Sequence, residues 1–189
     1  MPELWLVRHG QTDWNLEGRY QGQADVPLNS AGRAQAQALA VELAGKQFEA
    51  IYSSDLERAR ETAAILAAPH GLPVRVDPRL REICQGDWEG MPVTEICERY
   101  GLKIDPSQPT SPDFRAPGGE SVREVADRAS EAIQDIRDTY PSGAVLIVSH
   151  AITTAVVACK ARGISLSLAR SIIPKNAEAV RVKWPFSDS

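Results

Sequence analysis

Histidine and cysteine are both scarce in this 189-residue chain, with three of each. Cys84, Cys97 and Cys159 are odd in number and share no CxxC spacing, so they build neither a disulfide framework nor a zinc knuckle. A reducing, cytoplasmic setting is the expectation. An excess of positive charge is also missing. The net charge is −4 at pH 7 and the pI is near 5.4, which leaves no basic field to attract nucleic acid or an anionic membrane. No apolar run reaches the ~18 residues that span a bilayer, and Met1-Pro2-Glu3 leads into a strand too short for a signal peptide. Repeats and low-complexity tracts are absent. No GxGxxG follows the first strand, and neither GxxxxGK[ST] nor GxSxG occurs, which excludes dinucleotide, nucleotide-loop and serine-nucleophile readings.

Hydrophobic residues make up 43% of the chain, enough for one buried core, and a single domain over residues 1–189 is expected. Short apolar runs alternate with helical patterns. Strands are expected at Leu4–Val7, Ala50–Tyr52, Val74–Val76, Val145–Val148 and Ala179–Val182. Helices are expected from Ser30 to Ala44 after a cap at Asn29-Ser30, from Leu56 to Ala68, from Val93 to Tyr100, from Ser121 over about 18 residues, and from Ile152 to Arg162. Ser121 and Glu124 suit a capping box, and Val122, Val125, Ala129, Ala132, Ile133 and Ile136 share a face. In the Ser30 helix the apolar face is assigned to Ala34, Ala38, Leu39 and Val41. Strands separated by helices call for right-handed crossovers, hence an α/β fold: a three-layer α/β/α sandwich with a mostly parallel central sheet. Pro106, Pro109, Pro112 and Pro117 exclude regular structure from much of residues 91–117, read as a lid-like excursion over a site.

Chemistry concentrates at strand ends. Arg8-His9-Gly10 follows the first strand, and His150 follows Val145-Leu146-Ile147-Val148-Ser149. In open α/β sheets, ligands collect at the carboxyl ends of parallel strands. One strand-end histidine is more often structural than catalytic, but two of a total of three favour a shared site. His70, between Pro69 and Gly71, reads as a surface turn. An adjacent guanidinium opposes a metal cation, whereas arginine beside imidazole suits an oxyanion such as phosphate. Arg58 and Arg60 both lie near the start of the second helix, where an anion would be favoured, and spacing does not separate them. The plain alternative for Arg58 is a surface ion pair with Glu57 or Glu61. Glu82 stands out among 25 acidic residues because Leu80, Ile83 and Trp88 flank it with apolar surface.

The stretch Leu6-Val7-Arg8-His9-Gly10-Gln11-Thr12-Asp13-Trp14-Asn15 resembles the signature of the histidine phosphatase superfamily, the phosphoglycerate mutase-like proteins. Four further stretches agree in order: Ser54–Ala59, Leu80–Ile83 with Gly86–Gly90, Pro117–Ser121, and Val148-Ser149-His150. The resemblance covers nearly the whole chain and selects Arg58 over Arg60. It implies that His9 is the nucleophile and Glu82 the general acid, with Arg8, Arg58 and His150 holding the phosphoryl group and Asn15 and Gln21 completing the hydrogen bonds. His9 would be neutral, its second nitrogen donating to the carbonyl of Gly10 or a neighbour. His150 would act as a protonated donor. Ala151-Ile152 stands where relatives commonly carry glycines.

The implied activity is a phosphomonoesterase that needs no metal or other cofactor and acts on a small phosphorylated metabolite through a phosphohistidine. A cofactor-dependent phosphoglycerate mutase is the alternative, and a catalytically silent phospholigand-binding module a third. The excursion carries Glu95, Glu98, Asp105 and Asp113 against Arg99, Lys103 and Arg115, which disfavours a doubly phosphorylated ligand and hence the mutase. At the C-terminus, Trp184-Pro185-Phe186 either packs on a second copy in a homodimer or covers the sheet edge.

Overall fold

Strand β4, Ala144–Ser149, alternates its side chains between two apolar clusters, as strand geometry requires. Val145 and Ile147 enter one cluster, Leu146 and Val148 the other. A strand buried on both faces belongs in the middle of a layered molecule. The computed structural model, which describes residues 2–184, places it there. Strand β1, Glu3–Arg8, pairs with β4 in parallel on one side, and β2, Ala50–Ser53, does so on the other. Strand β3, Val74–Val76, continues the parallel sheet beyond β2, while β5, Ala179–Lys183, runs antiparallel along β1. The order is β3-β2-β4-β1-β5.

Helices cover both faces, giving the three layers read from the sequence. On one side, α2 (Ser30–Leu43) and α3 (Glu57–Ala67) pack Leu39, Leu43, Ala63 and Leu66 against Val7, Ile51 and Leu146. On the other, α5 (Val122–Thr139) and α6 (Ala151–Arg162) pack Ala129, Ile133, Ile136 and Val157 against Leu4, Leu6 and Ile147. The Ser121–Glu124 capping box forms, and all six apolar residues expected on α5 are buried.

The face of α2 differs from expectation. Gly32, Ala36, Leu39, Ala40 and Leu43 are buried, whereas Ala34 and Ala38 face solvent and Val41 is 78% exposed. Alanine suits either side of a helix, so an alanine-rich segment marks its stripe weakly. One short helix, α1 (Asp13–Leu16), lies in what reads as a polar turn. Thr12 and Asn15 close a capping box around it.

Within the 91–117 excursion, α4 (Val93–Tyr100) is followed by irregular chain. Ile96 and Ala116 pack on Trp88 in an apolar cluster of their own, with Tyr20, Leu102 and Ile104 alongside. The Thr110 N–H donates to Ser167 O at 3.0 Å, tying the excursion to the chain after α6. Trp184 is buried in the cluster that holds Val182, so it covers the sheet, while Pro185 and Phe186 lie outside the described residues. Among the described residues, no helix is long and apolar enough to cross a membrane.

The first turn of α2 abuts the loop after β1 backbone to backbone. A Cβ on Gly32 would overlap the Gln11 carbonyl oxygen. Helix propensity alone predicts that Gly32→Ala stabilises by about 1 kcal/mol. The close approach reverses the sign, and urea unfolding should show a loss of about 1–3 kcal/mol.

Candidate active site

Parallel register delivers the two strand-end histidines to one place. Arg8 pairs with Ser149, the His9 N–H donates to Ser149 O at 2.9 Å, and the His9 and His150 rings then meet edge-on with centroids 5.2 Å apart. At the end of β2, the Ser54 N–H donates to Val148 O, so the start of α3 lies at the same edge.

His9 is 2% exposed and has two ring partners. Nδ1 lies 2.6 Å from Gly10 O, which can only accept, and Nε2 lies 3.3 Å from Arg58 Nε, which can only donate. The proton therefore sits on Nδ1 and the lone pair on Nε2. Burial, and then the Arg58 and Arg8 charges, push the His9 pKa well below the ordinary imidazole value, so the ring is neutral. The Gly10 N–H donates to Thr62 Oγ1, whose hydroxyl donates to Arg58 O, locking the histidine loop to α3.

Arg58 is fully buried and also donates to Ala24 O at 2.7 Å and Gly22 O at 2.8 Å. Burial lowers its pKa to about 10, leaving it charged at neutral pH. Arg60 is exposed, and Glu61 pairs with Arg33, so the surface-pair alternative for Arg58 does not hold. Arg8 donates from Nη1 to Pro174 O at 2.9 Å, while its buried Nε has no partner. Both ring nitrogens of the fully buried His150 are likewise unpartnered. The protonated His150 expected beside a phosphoryl dianion is opposed by the protein's own groups. Burial and the charges of Arg58, Arg128 and Arg8 drive its pKa well below the ordinary value.

Glu82 is 8% exposed, but donors surround its carboxyl group rather than hydrocarbon. Oε1 accepts from the N–H groups of Ile83 at 3.0 Å, Ile152 at 3.2 Å and Thr153 at 3.3 Å, and Oε2 from Ile152 alone at 3.2 Å. The side chain thus caps the amino end of α6. The Ile152 and Thr153 amides that follow His150 serve Glu82.

Three residues not foreseen from the sequence hold this segment. Arg128 on α5 donates to Arg79 O, Arg81 O and Glu82 O at 2.7–2.9 Å and pairs with Glu120. Ser149 Oγ donates to Leu80 O, and Thr153 Oγ1 to Arg81 O, both at 2.7 Å.

Asn15 is set by the α1 capping box. Its Oδ1 accepts from Thr12 N–H at 3.1 Å and from Asn176 Nδ2 at 3.2 Å, while Asn176 also donates to His9 O at 3.0 Å. Asn176 was likewise not foreseen. Gln21 Oε1 lies 3.0 Å from Thr12 Oγ1. Arg8, His9, Asn15, Gln21, Arg58 and Glu82 all line one cavity of about 170 Å³, with His150 against the His9 ring. His70 sits apart, in the turn Ala68–His70 against Phe48. Among the described residues, no group of three or more His, Cys, Asp or Glu is placed to hold a metal ion.

A buried, unpartnered Arg8 Nε and the charged Arg58 around an unprotonated imidazole nitrogen fit a class of α/β protein that grips an oxyanion with side chains instead of a glycine-rich loop. A family model described as histidine phosphatase superfamily (branch 1) matches residues 4–187, and the chain belongs to that superfamily. Phosphoserine phosphatase 1 of Hydrogenobacter thermophilus is 36% identical over 88% of this chain and 79% of its own. The probable phosphoglycerate mutase GpmB of Shigella boydii is 35% identical over 99% of this chain and 87% of its own. A solved mycobacterial glucosyl-3-phosphoglycerate phosphatase in complex with VO3 superposes with a TM-score of 0.88 at 32% identity, covering 96% of this chain and 90% of that one.

The two depressed imidazoles give stability a pH dependence. Each folded-state pKa lies below the unfolded value, so the unfolded chain binds more protons once pH drops through about 6.5. Above that pH neither ring contributes. Stability should therefore fall as the pH drops below about 6.5, with both rings contributing. Urea midpoints across that range should flatten by one ring's share in His150→Gln.

Proposed function

We propose that the protein is a metal-independent phosphomonoesterase acting on a small phosphorylated metabolite through a phosphohistidine at His9. The observation that carries this reading is the set of buried, unpartnered nitrogens of Arg8 and His150 beside the bare Nε2 of His9. Buried donors without partners are costly, and a phosphoryl group supplies the acceptors they lack. Guanidinium groups at this position oppose a metal cation and favour a phosphate dianion.

In the first step, Nε2 attacks phosphorus as the ester P–O bond breaks, and the leaving oxygen takes a proton from Glu82. Oε2 is the oxygen to carry that proton, since Oε1 already accepts from three amides. In the second step, Glu82 takes a proton from water, the water oxygen attacks phosphorus, and the P–N bond breaks to release inorganic phosphate and restore His9. Arg58 must transfer its Nε–H from His9 to a phosphoryl oxygen as the ester enters, and that long 3.3 Å bond is cheap to give up. Arg8, Arg58 and His150 then stabilise charge on the equatorial oxygens, with Asn15 and Gln21 as further donors. A dianion beside His150 favours its protonated form, opposing the burial that keeps it neutral.

The mycobacterial and Hydrogenobacter relatives are phosphatases by name, which supports hydrolysis. GpmB carries a mutase name, so the assay must follow both outcomes. Phosphate release from phosphomonoesters should persist in EDTA and fall at least about 10³-fold in His9→Ala. Loss in EDTA, or activity retained in the variant, contradicts the mechanism. Interconversion of phosphoglycerates faster than phosphate release would assign the mutase instead.

A further inference from the structure

Beside the phosphate-sized cavity lies a second one of about 590 Å³, and Tyr20 and Arg170 line both. The larger space has the size of a small-molecule pocket. Its walls combine aromatic and aliphatic side chains with Lys103, Asp105, Gln108, Thr110 and Ser111 from the excursion. Tyr20, Trp88 and Phe114 form a run of tilted rings with centroids 6.0 and 5.9 Å apart, and the excursion adds Leu102 and Ile104.

Two polar groups beside the aromatic wall have no partner among the described residues. Trp88 is 2% exposed, yet its Nε1–H has no acceptor. Arg170, in the helical turn Leu166–Ile172, has no hydrogen-bond or ion-pair partner among the described residues. A buried indole N–H normally finds one. An aromatic wall beside the Arg170 and Lys103 cations matches a particular kind of molecule: flat and apolar, with a negative group.

We propose that this cavity holds the alcohol portion of the substrate, a bulky ring-bearing group whose anionic substituent pairs with Arg170. The inference rests on the phosphatase reading above and narrows it. A small polar ester, such as a phosphorylated amino acid or glycerol, would leave the aromatic wall unmatched. With phosphorus at His9, the ester oxygen points toward Glu82, and the rest of the alcohol extends past Tyr20 and Arg170. Arg170 at the junction of the two cavities therefore determines specificity.

The test compares kcat/KM for carboxynaphthyl phosphate, naphthyl phosphate and glycerol phosphate in the wild type and in Arg170→Leu. Wild type should rank them in that order, with the first about 100-fold or more above the last. Arg170→Leu should lower the carboxynaphthyl-to-naphthyl ratio about tenfold or more, through KM rather than kcat. Glycerol phosphate turned over as well as either naphthyl ester overturns the apolar subsite. An equal loss on both naphthyl esters overturns the role of Arg170. Release of phosphate from none of the three overturns the phosphatase reading, and the subsite falls with it.

Discussion

His9 is clamped between a carbonyl that can only accept and a guanidinium that can only donate, and the rest of the site depends on that clamp. It fixes one tautomer and places a lone pair in a cavity lined by cations. Remove either partner and the ring is free to carry its proton on the wrong nitrogen. The cationic surroundings serve two ends. Together with burial, the larger cause, they keep the ring neutral at ordinary pH, and they hold donors ready for an anion.

The fold supplies the clamp through register. Arg8 opposite Ser149 puts His9 next to His150, and the β2–β4 pairing brings Arg58 in at the head of α3. Thr62 joins Gly10 to Arg58, so the two halves of the clamp move as one unit. Glu82 is held separately. Its carboxylate sits on the amino end of α6, while Arg128, Ser149 and Thr153 secure its backbone from three elements. A carboxyl group expected among apolar neighbours is instead placed by donors, which fixes its position more tightly than packing would.

What the sequence could reveal follows from the range over which each signal acts. Strands and long helices were legible because apolar period and bounding Gly, Pro and Asn are local. Helix α1 was not, being only four residues, Asp13–Leu16, whose capping box gave the only cue. The buried face of α2 was misassigned because alanine fits either side. At the site, the seven residues singled out do come together. Arg128 and Asn176 escaped notice because their partners lie 46–49 and 161–167 positions away. The depressed pKa of His150 also escaped notice, since it comes first from burial and then from arginines on three other elements.

The most direct test of this account is the ¹⁵N NMR spectrum of the His9 ring from pH 8 to pH 5. The account predicts a single neutral tautomer throughout, with Nδ1 protonated, Nε2 bare and no titration near the ordinary imidazole pKa. A proton on Nε2, or a midpoint near pH 6.5, would contradict it.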